Sequence, residues 1–193
     1  MVGEVEEFLS TRDHVLAGLI AAQTARWSPQ IDEDRIWGLI RIVIAQQVST
    51  KSAKTICERV RAKYPRLALG CSSVERIEAE MLRFCGLSPR KAACCARIAN
   101  SADQILADVA RGRTWEEALG GISGIGAWTL AVFRIMILRE ENILPTGDLG
   151  LNRAVAMHYE QGVGLEELSR RWSPFRSVAC WYLWRSLGNP PLG

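Results

Sequence analysis

The chain has 193 residues, 48% of them hydrophobic and 23% charged, with a net charge of +3 and a pI near 8.6. Those proportions suit a globular protein of one domain or two small lobes, able to bury about 70% of its unfolded surface. They exclude a disordered chain and a membrane span, since no apolar run approaches the ~20 residues a span requires. The acidic opening Met1-Val2-Gly3-Glu4-Val5-Glu6-Glu7 is unlike a secretory signal, so a cytoplasmic, nucleoid-associated protein without membrane contact is expected. The small positive charge is compatible with nucleic acid but does not argue for it by itself. Cysteines stand at 57, 71, 85, 94, 95 and 180 with no C-x2-C pair, beside only His14 and His158, so a zinc or iron–sulfur reading fails on ligand spacing.

Taken in chain order, the pattern is helical throughout. Residues 4–25 read as one helix, interrupted near Arg26-Trp27-Ser28-Pro29. Asp32 is the expected cap of a strongly apolar helix from Ile36 to Ala45, ending near Gln46-Gln47-Val48-Ser49. Ser49 or Thr50 starts the next helix, reaching about Tyr64, with Ala53, Ile56, Cys57 and Val60 at helical spacing. A short helix is predicted over 73–85. Ser88-Pro89 then opens a longer one through Val109, in which Cys94 and Cys95 read as small core residues of a reducing compartment. Thr114-Trp115-Glu116-Glu117 is a capping box for a short helix ending at Gly120. Helices follow over 127–138, from near Asp148, over 165–171, and from Ser173-Pro174 to Gly188. The prediction is all-α, with about ten helices and no internal repeat.

The most informative stretch is Leu119-Gly120-Gly121-Ile122-Ser123-Gly124-Ile125-Gly126-Ala127-Trp128-Thr129. Two short helices joined by a turn with glycines at alternate positions form a helix-hairpin-helix. Gly124 and Gly126 accept conformations barred to other residues and have no side chain to hold a phosphate away. Their N–H groups, with the positive end of the helix starting at Ala127, make an anion cradle that grips a DNA backbone without reading sequence. The same residues also fit a tight turn between helices and nothing more. A dinucleotide fingerprint does not fit, because the glycine order is reversed and no strand precedes it.

Asp148 follows in Pro145-Thr146-Gly147-Asp148. Two readings stand side by side: a helix N-cap, which aspartate favours, or an acid aimed at a sugar. Breaking an N-glycosidic bond builds positive charge on the deoxyribose, and a buried carboxylate stabilises that charge and orients or deprotonates water.

With both elements in place, the chain resembles the helix-hairpin-helix (HhH-GPD) DNA glycosylase superfamily, and within it the 3-methyladenine DNA glycosylase II branch. The resemblance runs from about Asp32 to Arg185. Its further landmarks are Ile44-Ala45-Gln46-Gln47-Val48-Ser49, Phe84-Cys85-Gly86-Leu87-Ser88-Pro89-Arg90-Lys91-Ala92 and the stretch from Trp172 to Arg185. It implies a two-lobed all-α fold in a single domain over 1–193. Residues 1–30 would join the lobe formed with the C-terminal helices, and about 50–145 would make a central lobe ending in the hairpin, the active cleft lying between lobes.

The resemblance also implies roles. Asp148 is the catalytic aspartate; the Gly124 and Gly126 amides, with Thr129, hold a DNA phosphate. The hairpin carbonyls of Gly120, Ile122 and Ile125 correspond to positions that hold a monovalent or divalent metal ion. Gln47, with Gln46 beside it, falls where the family wedges a side chain into the gap left by an extruded base. Trp128 and Trp184 match positions that present aromatic faces to the flipped base. Such faces attract cationic alkylated purines, whose glycosidic bond is already weakened, so no organic cofactor is required. Trp184 also reads as a core tryptophan, as do Trp37, Trp115 and Trp172. Arg176 reads either as a phosphate ligand or as an ion-pair partner.

Departures from the family refine the expectation. The only lysines are Lys51, Lys54, Lys63 and Lys91. Bifunctional relatives carry a nucleophilic lysine near the second hairpin helix, where this chain has Trp128, which points to a monofunctional enzyme. The C-terminal four-cysteine cluster of iron–sulfur relatives is missing, and 193 residues leave no room for the extra β-rich domain of longer members. Leu149 and Val132 replace pocket aromatics of some relatives. The expected activity is hydrolysis of 3-methyladenine- or 7-methylguanine-type bases from double-stranded DNA by a monomer, in base excision repair. Two rivals are a glycosylase for oxidised or deaminated bases and a non-catalytic damage-binding module.

Overall fold

Asp13 breaks the first helical stretch in two, where the sequence pattern predicts one helix. In the structure, a computed structural model that describes residues 2–28, 34–65, 67 and 76–188, α1 (Val2–Arg12) ends before Asp13 and α2 (His14–Ala22) begins after it. One Asp13 carboxylate oxygen accepts from the Val15 and Leu16 N–H groups, both at 3.1 Å. The other accepts from the Tyr159 hydroxyl at 3.0 Å and the Trp172 indole N–H at 2.8 Å. A buried carboxylate requires such donors, and here they fix it as the cap of α2.

Among the described residues there are twelve helices and no strand, in keeping with the all-α expectation. α3 (Arg35–Ala45) is capped by Asp34, whose carboxylate accepts from the Trp37 N–H at 3.0 Å. Asp32, the predicted cap, lies outside the described residues, as do Cys71 and residues 73–75 of the helix predicted over 73–85. α4 (Thr50–Lys63) is capped by Ser49, and α5 spans Ala79–Phe84. The single helix predicted from Pro89 to Val109 is two, α6 (Pro89–Asn100) and α7 (Ala102–Ala110), separated at Ser101. The Asn100 amide pairs with both the N–H and the carbonyl of Ile77, at 2.8 and 2.9 Å. Asn and Ser are poor residues for a helix interior and good ones for a helix end.

The capping box of α8 (Trp115–Leu119) is present as predicted. α9 (Ala127–Met136) stops short of Leu138, and Arg139 beyond it takes φ +57°. α10 (Leu149–His158) and α11 (Leu165–Trp172) follow. The last helix, α12 (Arg176–Ser186), does not open on Ser173-Pro174: that peptide bond is cis, and Phe175 takes the cap position.

The described residues form two compact units. One combines residues 2–28 with 134–188. Its centre is α12, buried at every position from Ser177 to Trp184, which marks a helix surrounded by others; α2, α10 and α11 pack against it. Tyr182 donates its hydroxyl to Glu6, and Trp27 meets Trp181 edge to face at 6.1 Å. The other unit holds described residues from 34 to 133. Its centre is α3, flanked by α4 and by α6, whose buried face of Ala92, Cys94, Cys95, Ala96 and Ala99 is of small residues apart from Ile98. Cys94 and Cys95 are core residues as predicted, with burial pushing both thiols up. Trp37 and Trp172 are buried; Trp115 is only half-buried, edge to face with Phe133 at 5.0 Å.

Candidate active site

The loop leading to Asp148 is anchored to α12. Ser177 donates its N–H to the Glu141 carbonyl at 2.9 Å, and its hydroxyl accepts from the Ile143 N–H at 2.9 Å. The chain then turns through Gly147 at φ +74°, and Asp148 caps α10. Its Oδ1 accepts from the Leu151 N–H at 2.6 Å and from the Trp184 indole N–H at 3.0 Å. The residue is 5% exposed. The cap reading of Asp148 holds, and the bonds of the cap fix a buried acid at a helix N-terminus, where the helix dipole favours negative charge. Burial raises the pKa of the Cys180 thiol, and the Asp148 carboxylate adds to that shift.

Trp184 departs from the expected open aromatic face. At 2% exposure it is a core residue, and its polar edge holds the carboxylate. Gly150, which sequence reasoning passed over, completes the arrangement: a Cβ there would lie 3.0 Å from Asp148 Oδ1 and 3.4 Å from Trp184 Cδ1. Leu149, beside the acid, is 84% exposed.

The other unit carries the hairpin. Gly124 takes φ +105° and Gly121, not singled out from sequence, φ +88°. A Cβ on Gly124 would meet Cys94 Sγ at 2.7 Å, so glycine is required there both by conformation and by packing against α6. Gly126 does not take a left-handed conformation, contrary to expectation. Its carbonyl accepts the first bond of α9 from Leu130 at 3.0 Å, and the space where a Cβ would sit is open. Of the carbonyls named for a metal, that of Ile122 accepts from the Ile125 N–H at 3.1 Å, which leaves its second lone pair for a hard cation; Gly120 and Ile125 border the same turn.

Thr129 is buried, and its hydroxyl accepts from Gln46 Nε2 at 2.9 Å. The hydroxyl thus tethers Gln46 through a lone pair and keeps its own O–H donor. Gln46 is likewise engaged, whereas Gln47 is exposed at φ +54°, a conformation costing a non-glycine residue about 1 kcal/mol. Trp128 is half-buried in the first turn of α9. Arg176 donates to the Ser169 carbonyl at 3.1 Å, at the end of α11. Immediately after Gln47, α4 exposes Lys51, Lys54, Arg59, Arg61 and Lys63 against one acid, Glu58. No sequence signal had marked that face, because lysine usage alone does not report clustering.

These features define a helical protein with a hairpin turn and a buried aspartate. No family model matches the chain. A probable bifunctional transcriptional activator/DNA repair enzyme AlkA of Mycobacterium tuberculosis is 33% identical over 165 residues, 78% of this chain. The chain spans 33% of that relative's length. DNA-3-methyladenine glycosylase 1 of Schizosaccharomyces pombe is 27% identical over 77% of this chain and 70% of its own. Among solved structures, the Schizosaccharomyces pombe 3-methyladenine DNA glycosylase Mag1 in complex with abasic DNA superposes with a TM-score of 0.77. It is 27% identical, over 96% of this chain and 97% of that one. A DNA-3-methyladenine glycosidase from Bacillus halodurans gives 0.67 at 26% identity, over 95% of this chain and 89% of its own. In sequence and in fold, the chain is thus similar to the 3-methyladenine DNA glycosylases.

Proposed function

We propose that this protein is a monofunctional DNA glycosylase that removes alkylated bases from double-stranded DNA, acting as a monomer. The observation that carries the reading is Asp148: a buried carboxylate held by two donors on one oxygen, at the head of α10. The C1′–N bond of the flipped nucleotide breaks, and its electron pair leaves with the base, which a cationic 3-methyladenine or 7-methylguanine accepts to become neutral. Positive charge builds on C1′ and the ring oxygen, where the carboxylate stabilises it. Water then adds to C1′ and loses its proton, with Asp148 as the acceptor. An abasic site and free base result.

In this reading Trp184 keeps Asp148 oriented, Trp128 offers its ring to the base, and Gln47 fills the gap left by its extrusion, which costs a few kcal/mol of unstacking. The Gly124 and Gly126 amides take a phosphate, and the basic face of α4 takes others. A cation on the carbonyls of Gly120, Ile122 and Ile125 would supply positive charge beside that phosphate.

The test is base release from methylated duplex DNA, resolved by chromatography, for wild type and Asp148→Asn. Free 3-methyladenine or 7-methylguanine from wild type alone, with Asp148→Asn still binding the DNA, is the expected result. Tight binding without release by wild type would overturn the alkylation reading and favour oxidised or deaminated lesions.

A further inference from the structure

The loop carrying Gln47 is held from below by a lysine to which neither the cap nor the hairpin accounts for a role. Lys91 lies in the first turn of α6, and its ammonium donates to the Ile44 carbonyl at 2.9 Å and to the Gln46 carbonyl. Ile44 is in the last turn of α3, where carbonyls lack partners within the helix and a cation is favoured. Burial against these groups lowers the Lys91 pKa below the usual lysine value.

The same loop has a second tether, the Gln46 side chain on Thr129 Oγ1 at 2.9 Å. Next in the chain after the doubly tethered Gln46, Gln47 is exposed in a left-handed conformation that costs a non-glycine residue strain. One turn along α6 from Lys91, Cys94 packs against Gly124 of the hairpin. A single face of α6 thus touches both the Gln47 loop and the phosphate turn.

We propose that Lys91 is a positioning residue that clamps the Gln46 backbone so that Gln47 is presented to DNA already in its inserting conformation. The proposal rests on the reading of Gln47 as the wedge. Lys91 makes no contact with the lesion; it acts through Gln47, replacing a loop rearrangement at each encounter with one made during folding.

The test uses the whole protein and a duplex with 2-aminopurine beside a tetrahydrofuran abasic analogue, whose fluorescence rises on unstacking, together with base release from methylated duplex at saturating enzyme. Lys91→Met is expected to lower both the fluorescence rise and the single-turnover rate about tenfold, with binding to undamaged duplex unchanged. Lys91→Arg, which retains two donors, restores most of the loss. In a Gln47→Ala background Lys91→Met adds nothing further, because both act on one event.

Full additivity of the two substitutions, or a normal fluorescence rise in Lys91→Met, overturns the clamp while leaving the wedge reading intact. If Gln47→Ala alone changes neither signal, the wedge reading fails and the clamp falls with it. Lys91→Gln, a neutral donor, is read in the same way should Lys91→Met not fold.

Discussion

Trp184→Phe keeps a large ring in the core of its unit and removes one donor from Asp148 Oδ1. A hydrogen bond to a charged group is worth ~1.5–3 kcal/mol, so the rate of base release should fall about 10- to 100-fold while the Kd for damaged duplex stays unchanged. Equal losses in both would show that the indole serves packing alone. Asp148 itself was legible because glycine, a cap position and a matching motif converge on it. Its partner was not: Trp184 lies 36 residues away, and a tryptophan in an apolar helix reads as core whether or not its N–H has a task. Tyr182 gives a separate residue-scale prediction. Burial and the hydrogen bond to Glu6 push its hydroxyl up to about 12. The unfolded chain loses that proton at about 10, so the stability from neutral Tyr182 is complete below pH ~10 and lost as pH rises towards 12. Ultraviolet titration of tyrosinate, run beside denaturation midpoints over that range, checks both the shift and its sign.

At the scale of elements, several helix starts were readable from side chains that cap locally: Ser49, Ser88 and Thr114 each bond within three residues of themselves. The break at Asp13 was not readable in that way, since the apolar pattern runs through it. What stabilises the break comes from Tyr159 and Trp172, 146 and 159 residues away. Asp13→Ala is therefore expected to cost about 3 kcal/mol, combining a lost cap with a buried hydroxyl and indole N–H left unsatisfied. Urea unfolding of the whole chain measures this; a loss below about 1 kcal/mol would mean that water replaces the carboxylate. Thr129 is a second such case. The resemblance implies a phosphate ligand there, while the contact its hydroxyl makes with Gln46 is tertiary and leaves no local pattern to read.

For the molecule as a whole, a net charge of +3 conceals an uneven distribution, with three of the four lysines on α4. Neutralising DNA phosphates releases counterions, so log Kd should vary with log salt by about 0.9 per phosphate contacted. Replacing Lys51 and Lys54 together by Gln should reduce that slope by about two, whereas Arg170 and Arg171, exposed on α11, should contribute nothing when replaced in the same way. Fluorescence anisotropy across a salt series separates these outcomes.

The unit that holds Asp148 is built from residues 2–28 and 134–188, and this imposes a timetable on the nascent chain. At translation speeds of ~5–20 residues per second, α1 and α2 leave the ribosome on the order of ten seconds before α12 does. During that interval Leu16 and Ile20 of α2, both buried in the finished protein, have no α12 to pack on, while the other unit has all its own helices to hand. The unit that bears the hairpin can therefore close while the rest is still being made. Asp148 receives the Trp184 hydrogen bond only as the last helix emerges, so a ribosome stalled in that interval displays the hairpin unit with its helices made and the carboxylate still without that donor.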